Sequence, residues 1–367
     1  MGAPGTNSRN GKALGATVAD DSVEAAEEAG LQYVSDDRPG YTRRANDGEF
    51  EYLDTQDKLI RDEQRLVRIK CLAIPPAWTD VWICPSASGH IQATGRDARR
   101  RKQYRYHERW REIRDENKFG HLAAFAQALP KIRSRVAKDL KLPGLPRQKV
   151  LATVVQLLER TFIRIGNEEY ARENKSFGLT TMKNRHVTVK GARLRFRFRG
   201  KSGRQHEVDV TDRRMAKIVA KCQDLPGQDL FQYVSDDGEV RDVTSQDVND
   251  YLREIAGEDF TAKDFRTWAG TLLATLALNA QEPFETKRQA KANVKVAICA
   301  VAELLGNTPA VCRKCYVHPA IVEAYLSGSQ IAALGSAAKP PAKMKLRAAE
   351  RALLKFLHAR GSLNSKS

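Results

Sequence analysis

The sequence lacks the features that mark membrane proteins and secreted proteins. It contains no apolar run long enough to span a bilayer, and no charged-then-apolar signal peptide precedes its cysteines. The six cysteines form no dense disulfide framework, which favours a reducing compartment. We therefore expect a cytoplasmic protein.

The sequence contains few motifs that could bind a metal ion or a nucleotide. Cys312 and Cys315 form one CxxC, but no second CxxC or HxxxH accompanies it, and no carboxylate cluster for Mg²⁺ is evident. Gly200-Lys201-Ser202 resembles the end of a phosphate-binding loop, but that motif needs a glycine where Arg195 stands and a helix where a strand pattern follows. We expect no metal and no cofactor.

Negative charge is also in deficit. The chain has 62 Lys and Arg against 45 Asp and Glu, a net charge of +17, while 41% of its residues are hydrophobic. A folded protein with this excess of positive charge is expected to bind a polyanion, and nucleic acid is favoured over a membrane surface.

The patterns of apolar residues predict an α+β fold with two domains. A small β-rich N-terminal domain precedes a larger, mainly α-helical domain that carries a small β-hairpin or sheet. The predicted boundaries are a flexible tail over 1–30, the β-rich domain over 31–107, a linker over 108–118, the helical domain over 119–330, and a basic C-terminal tail or helix over 331–367.

The first cationic stretch, residues 96–106 with the sequence RDARRRKQYRY, interleaves basic residues with two tyrosines. Arg101 contributes to the charge, and Tyr104 and Tyr106 would share one face of an extended strand. Such a stretch suits phosphates and bases. A solvated basic turn with two packed tyrosines is the alternative, and the overall charge favours DNA contact.

A second candidate is Arg164, which directly follows the apolar helix pattern of residues 149–163 and precedes a predicted helix stop at Gly166. Because Ile163 and Ile165 flank it, we expect the guanidinium to be partly enclosed and to need an anionic partner. That partner is either a phosphate or a nearby glutamate, Glu168 or Glu169.

The strongest β pattern lies between residues 186 and 210. Leu194, Phe196 and Phe198 alternate with arginines, which predicts one apolar face and one cationic face. The turn GKSG, residues 200–203, then reverses the chain and predicts a hairpin with Lys201 at its tip.

Two further candidates stand at helix ends. Thr261 and Asp264 form a capping pattern that places Arg266 near the beginning of a long apolar helix, where it is either an anion-binding group or a surface arginine. In residues 303–319, Gly306 ends one helix and Thr308 with Pro309 begins the next, which carries Tyr316. Alone, such a tyrosine is more often a packing residue than a nucleophile.

The segment KMKLRAAERALLKFL in the C-terminal tail predicts a basic amphipathic helix after Pro340 and Pro341. It either contacts DNA or packs on the preceding domain.

Together these elements resemble the poxvirus-type and bacterial type IB DNA topoisomerases. The shared order is Arg164 in IRIGN, Lys201 in FRGKSG, Arg266 in KDFRTW, and Asn307 with Tyr316 in LGNTPAVCRKCY. The resemblance covers residues 31–328, including RKQYRY and the segment that begins GLTT, and leaves both tails outside.

The resemblance implies an isomerase that relaxes supercoiled double-stranded DNA without ATP or metal. Tyr316 would form a 3′-phosphotyrosyl link, Arg164 and Arg266 would hold the phosphate, and Lys201 would protonate the leaving oxygen. Asn307 stands where poxvirus enzymes have histidine, so it can donate a hydrogen bond but carry no charge. The DNA contacts carried over are Gln103, Tyr104, Tyr106 and Tyr170. The protein would be a nucleoid-associated monomer whose two domains clamp the duplex.

Two other classes remain open at this point. A tyrosine recombinase or integrase-like strand transferase uses similar residues, but its second arginine normally follows a histidine three positions earlier, where Lys263 stands here. A non-catalytic basic clamp would bind DNA in a salt-sensitive manner and form no covalent adduct.

Overall fold

The structure is a computed structural model that describes residues 26–27, 30–46, 48–328 and 347–364. Nearly all of the predicted N-terminal tail, and residues 331–346 of the predicted C-terminal tail, lie outside the described residues. The chain divides into two compact units, Met1–Phe119 and Gly120–Ser367.

The first unit is built on a five-stranded antiparallel sheet in the order β2-β1-β3-β4-β5. Val81 and Ile83 are buried in its core together with Ala93, and Ile69 of the helix between β2 and β3 packs against them. β5 is an edge strand. The elements are β1 Tyr41–Asn46, β2 Glu49–Leu53, α1 Glu63–Cys71, β3 Thr79–Ile83, β4 Ile91–Arg96 and β5 Lys102–Tyr106.

The division between the units falls within the long helix α2, Glu108–Asp139. The second unit is mainly helical. Its elements begin with α3 Arg147–Thr161, α4 Glu168–Asn174, β6 Val187–Lys190, β7 Arg193–Arg199, β8 Gln205–Thr211, α5 Arg213–Gln223, β9 Gln232–Val234 and β10 Val240–Asp242. They continue with α6 Ser245–Ala256, α7 Ala262–Asn279, α8 Lys287–Leu304, α9 Pro309–Tyr316, α10 Pro319–Leu326 and α11 Arg347–Asn364. The predicted α+β fold is confirmed.

Helix α3 is the centre of the second unit. Val150, Val154, Leu157 and Leu158 are fully buried, and the helix contacts α7, α6 and the small sheets. Burial of these side chains stabilises the unit by roughly 2 kcal/mol each. The helix thereby fixes the segment that follows it, which carries Arg164.

The β7–β8 hairpin forms as its alternation predicts, in the three-stranded sheet β6-β7-β8. Its apolar face is buried through Leu194, Phe196 and Phe198. The predicted cationic face is largely neutralised, because the β7 arginines pair with Glu207 and Asp209 on β8. Exposed ion pairs of this kind contribute little to stability, so the face is a paired surface rather than an open row of cations.

The C-terminal helix α11 packs on the second unit, as one of the two alternatives for the C-terminal tail predicted. Leu353 is fully buried, and Glu350 receives two hydrogen bonds of 2.9 and 2.7 Å from Arg133 of α2. Glu350 is only 9% exposed, so a paired guanidinium is required to keep its charge buried.

Among the described residues, no single helix is both long and apolar enough to cross a membrane. Helices α8 and α9 meet that length and composition only when they are taken together, and they are bent by 90° relative to one another. No group of three metal-ligating side chains was found in the same part of the chain.

His318 makes the second unit sensitive to acid. Its Nδ1 accepts the backbone N–H of Ala320 at 3.1 Å and so caps α10, which requires an unprotonated nitrogen. Burial, and then the nearby Arg360 guanidinium, lower the pKa of His318 to about 4. The unfolded chain, with a histidine pKa near 6.5, therefore takes up the proton first as the pH falls.

We expect the free energy of unfolding to fall by about 2 kcal/mol from this residue between pH 7 and pH 5. Urea unfolding at the two pH values measures it. His318→Asn keeps a capping oxygen but does not titrate. Between pH 7 and pH 5 its free energy of unfolding should therefore fall by about 2 kcal/mol less than that of the wild type. Equal pH dependence of the two proteins would contradict the prediction.

Candidate active site

Arg164 is positioned by two chain segments that pair with one another. Helix α3 ends at Phe162, which adopts a left-handed conformation with φ of 56°. The extended segment that follows receives hydrogen bonds from the segment beginning at Gly178: Leu179 N–H donates to Arg164 O at 2.9 Å. A Cβ on Gly178 would lie 2.6 Å from that same oxygen, so only glycine permits this approach.

The side chain of Arg164 does not pair with either of the two glutamates that the sequence suggested as partners. Among the described residues it forms no salt bridge with Glu168 or Glu169; its Nη2 donates to Oδ1 of Asn307 instead. The guanidinium is half-buried and has no carboxylate partner in this part of the chain. An arginine placed in this way is free to take an anion from outside the protein.

Arg266 is a buried residue rather than a surface arginine. Its residue exposure is 4%, its Nη2 donates to Leu305 O at 2.7 Å, and its Nη1 donates to Phe162 O. Burial lowers the pKa of Arg266, as does the neighbouring Arg164, although the group remains charged. No carboxylate of the described residues pairs with this buried charge, whose donors contact two carbonyls, and an anion beside it is therefore favoured.

Tyr316 lies at the end of α9 and against the face of α7. The Cζ of Arg266 lies 5.0 Å from the centroid of its ring, and Thr271 Oγ1 donates to its carbonyl at 3.2 Å. A Cβ on Gly270 would come within 2.5 Å of that carbonyl, so α7 needs glycine at this crossing. Burial raises the pKa of the Tyr316 phenol, but the Arg266 and Arg164 guanidiniums outweigh it, and the net pKa is lowered. The phenolate is therefore easier to form here than in water.

Asn307 follows the left-handed Gly306 (φ 62°) and is nearly buried. Because its Oδ1 accepts from Arg164, its Nδ2 faces the other way and makes only a long contact of 3.4 Å with Leu305 O. The side chain thus has a donor left for a further acceptor, as the sequence predicted for an amide at this position.

Lys201 is exposed at the tip of the β7–β8 hairpin, in the short 3₁₀ turn Lys201–Gly203. It lines the same pocket as Arg164, Arg266 and His206. The structure therefore brings three predicted residues, Arg164, Asn307 and Tyr316, together around Arg266, and Lys201 reaches the group from a separate element.

Two residues of this site were missed by sequence reasoning, Arg204 and His206. Arg204 Nη1 donates to the backbone carbonyl of Asn307 at 2.7 Å, and the His206 ring lies between Gly200 and Gly306. The signal for His206 was its inward alternation with Val208 and Val210 on β8. Nothing in the sequence indicated that Arg204 would contact a residue about 100 positions away.

The remaining predicted DNA contacts fall in two places. In the first unit, Tyr104 is 43% exposed and its ring stacks on Tyr106 with centroids 5.7 Å apart. Arg101 and Gln103 both donate to Asp97, and the side-chain hydrogen bond from Arg101 is the main cause that lowers the pKa of Asp97 to about 2. Tyr170 is half-buried in α4 of the second unit.

In the helical unit a tyrosine lies beside two guanidiniums, an arrangement that suits a protein acting on a phosphodiester. Residues 107–339 match the family described as eukaryotic DNA topoisomerase I, catalytic core, and residues 49–97 match the N-terminal domain of bacterial DNA topoisomerase IB. The chain belongs to the type IB DNA topoisomerase family, as its sequence motifs predicted, and is an isomerase.

Individual relatives agree with this assignment. DNA topoisomerase 1B of Acanthamoeba polyphaga mimivirus is 32% identical over 283 residues, which is 75% of this chain and 84% of the relative. The enzyme of Vaccinia virus, strain Copenhagen, is 24% identical over 259 residues, 68% of this chain and 78% of the relative. Among solved structures, the XerH site-specific recombinase bound to difH covers 52% of this chain and 49% of its own, with a TM-score of 0.33 and 13% identity, a likeness too low to bear on function.

Proposed function

We propose that this protein relaxes supercoiled duplex DNA by cutting one strand with Tyr316, letting the free end rotate, and resealing the strand. The observation that carries the proposal is the contact between Tyr316 and Arg266. Arg266 is a buried cation that pairs with no carboxylate in the described ranges, and it shares its pocket with Arg164 and Lys201.

In the cleavage step the phenol oxygen of Tyr316 attacks a backbone phosphorus. A 3′-phosphotyrosyl bond forms, the bond to the 5′-oxygen of the next nucleotide breaks, and that oxygen leaves as a hydroxyl. The lowered pKa of Tyr316 assists attack, and it also makes the phenol a better leaving group when the strand is resealed. Because one phosphodiester replaces another, the bond energy is retained and ATP is not required.

The transition state concentrates negative charge on the nonbridging oxygens of the phosphate. Arg164 and Arg266 are suited to this charge, since a guanidinium can donate two parallel hydrogen bonds to a phosphate. Asn307 supplies a neutral donor through Nδ2. Fixed donors of this kind typically contribute a factor of about 10²–10³ each to the rate.

The first unit supplies the proposed second half of the DNA site. The stacked Tyr104 and Tyr106 present flat faces to a duplex from the edge strand that also carries Gln103, and Arg101 directly precedes that strand. We infer a monomer that closes around the DNA in the cytoplasm, with Tyr170 touching a phosphate near Arg164.

Relaxation of negatively and positively supercoiled plasmids, in EDTA and without ATP, tests the proposal. Loss of both kinds of supercoil, together with a protein–DNA adduct on denaturation, is the expected result. A strict requirement for ATP or Mg²⁺, or relaxation of one sign only, would contradict it. A two-site recombination product in place of relaxation would favour the recombinase alternative.

Lys201 is expected to protonate the leaving 5′-oxygen. Lys201→Ala should slow single-turnover cleavage by roughly 10²–10⁴, the usual contribution of a general acid. A 5′-phosphorothiolate at the scissile bond should restore the rate, because a thiolate leaves without a proton.

The matched control for this prediction is Lys190→Ala. Lys190 is exposed at the opposite end of the same sheet, so its removal changes the net charge equally. If the sulfur substrate rescues nothing, or if Lys190→Ala loses as much activity, Lys201 is not the acid.

A further inference from the structure

Two turns of the second unit meet around the imidazole of His206. The first turn, Gly200–Arg204, carries Lys201, and the second is Gly306–Asn307. A Cβ on Gly200 would lie 2.5 Å from His206 Cδ2, and a Cβ on Gly306 would lie 2.3 Å from His206 Cε1. Each glycine therefore leaves room for the ring that no other residue would leave, and the ring fills the space between the two turns.

Other contacts hold the His206 ring in this position. It stacks on Phe198 of β7 with centroids 5.1 Å apart and an interplanar angle of 9°. Burial lowers the pKa of His206, and the surrounding Arg164, Arg204 and Arg266 lower it further. The lowered pKa favours the neutral ring, which suits a group near three guanidiniums.

Arg204 makes a second connection between the same two turns. Its Nη1 donates to Asn307 O at 2.7 Å, while its own carbonyl accepts the N–H of Gly200 at 2.7 Å and closes the hairpin turn. Asn307 in turn accepts from Arg164. A continuous set of contacts thus joins the Lys201 turn to Asn307 and Arg164, the residues proposed to hold the phosphate.

We infer that His206 and Arg204 are positioning residues that hold the Lys201 turn against the Gly306–Asn307 turn, so that the acid reaches the leaving oxygen. The inference rests on the proposed function. Its physical reason is that Lys201 is exposed on a hairpin tip, with a long flexible side chain and little packing of its own. A misplacement of about 1 Å in such a group costs on the order of 10² in rate.

The test is single-turnover cleavage of matched oxygen and 5′-phosphorothiolate DNA by His206→Ala and Arg204→Met. We expect cleavage of the oxygen substrate to fall roughly 10- to 100-fold, and cleavage of the sulfur substrate to stay near the wild-type rate. A general structural defect would slow both substrates equally, since attack by Tyr316 is common to them. Equal losses, or no loss on the oxygen substrate, would overturn the inference.

Controls separate this inference from the proposed function. Arg197→Met removes an exposed arginine of the same hairpin that pairs with Glu207 and should cleave both substrates normally. If the urea midpoint shows that His206→Ala does not fold, the test rests on Arg204→Met, because Arg204 is exposed. If the wild type itself forms no adduct, the proposed function fails; if it does and these variants cleave the oxygen substrate normally, only the positioning role fails.

Discussion

Tyr316→Phe is expected to abolish plasmid relaxation and the covalent protein–DNA adduct while leaving the fold and DNA binding intact. Only the phenol oxygen is removed. The ring can stay over Arg266, and the hydrogen bond from Thr271 is to the backbone carbonyl of residue 316, which the substitution keeps. Without a nucleophile the rate should fall more than about 10⁵-fold, towards the uncatalysed reaction.

The matched control is Tyr325→Phe in the next helix, α10. Its hydroxyl accepts a hydrogen bond from Asn293 Nδ2 at 2.8 Å, as the Tyr316 hydroxyl does from Arg266, and both tyrosines are half-buried. Loss of this hydrogen bond should lower the free energy of unfolding by about 1 kcal/mol without affecting relaxation. Gel-shift binding and plasmid relaxation of the two variants, measured side by side, distinguish the roles. Residual relaxation by Tyr316→Phe would rule out Tyr316 as the nucleophile.

The parts of the site that the sequence predicted are those with a local signal. Arg164 follows a buried helix and precedes Gly166, and Tyr316 stands in a helix whose capping residues are visible in the sequence. Such boundaries depend on neighbours within a few positions, so a single sequence contains them. The resemblance then supplied what no local signal could: that these residues meet.

The parts that the sequence did not predict depend on contacts between distant segments. Whether Arg266 was exposed could not be decided, because its burial results from α7 packing against Phe162 and Leu305. The row of arginines on β7 was expected to be an open cationic face, but the strand register sets Asp209 and Glu207 opposite them. Register and packing are tertiary properties, and alternation alone does not determine which charge stands opposite another.

Arg266→Lys and Arg266→Met separate the two contributions of the buried arginine. Lysine keeps the charge but loses the planar fork that donates to Phe162 O and Leu305 O. We expect Arg266→Lys to slow cleavage by about 10²–10³, with little change in its pH dependence. Arg266→Met removes the charge as well. Among the lowering influences on the pKa of Tyr316, Arg266 is the strongest, so that pKa should rise and the cleavage profile should move to higher pH.

A stability effect must be separated from this loss, because both variants leave buried carbonyls without a donor, at about 1–3 kcal/mol each. Arg133→Lys is the matched control: it replaces another enclosed arginine, one that forks onto Glu350 and lies outside the site. Single-turnover cleavage at several pH values, corrected for the folded fraction from urea unfolding, measures both. If Arg133→Lys and Arg266→Lys then lose the same activity, Arg266 acts through the fold alone. Suppose instead that Arg133→Lys keeps its activity, that Arg266→Lys loses it, and that Arg266→Met alone shifts the pH profile. The Arg266 guanidinium then holds the phosphate, and its charge lowers the pKa of the nucleophile.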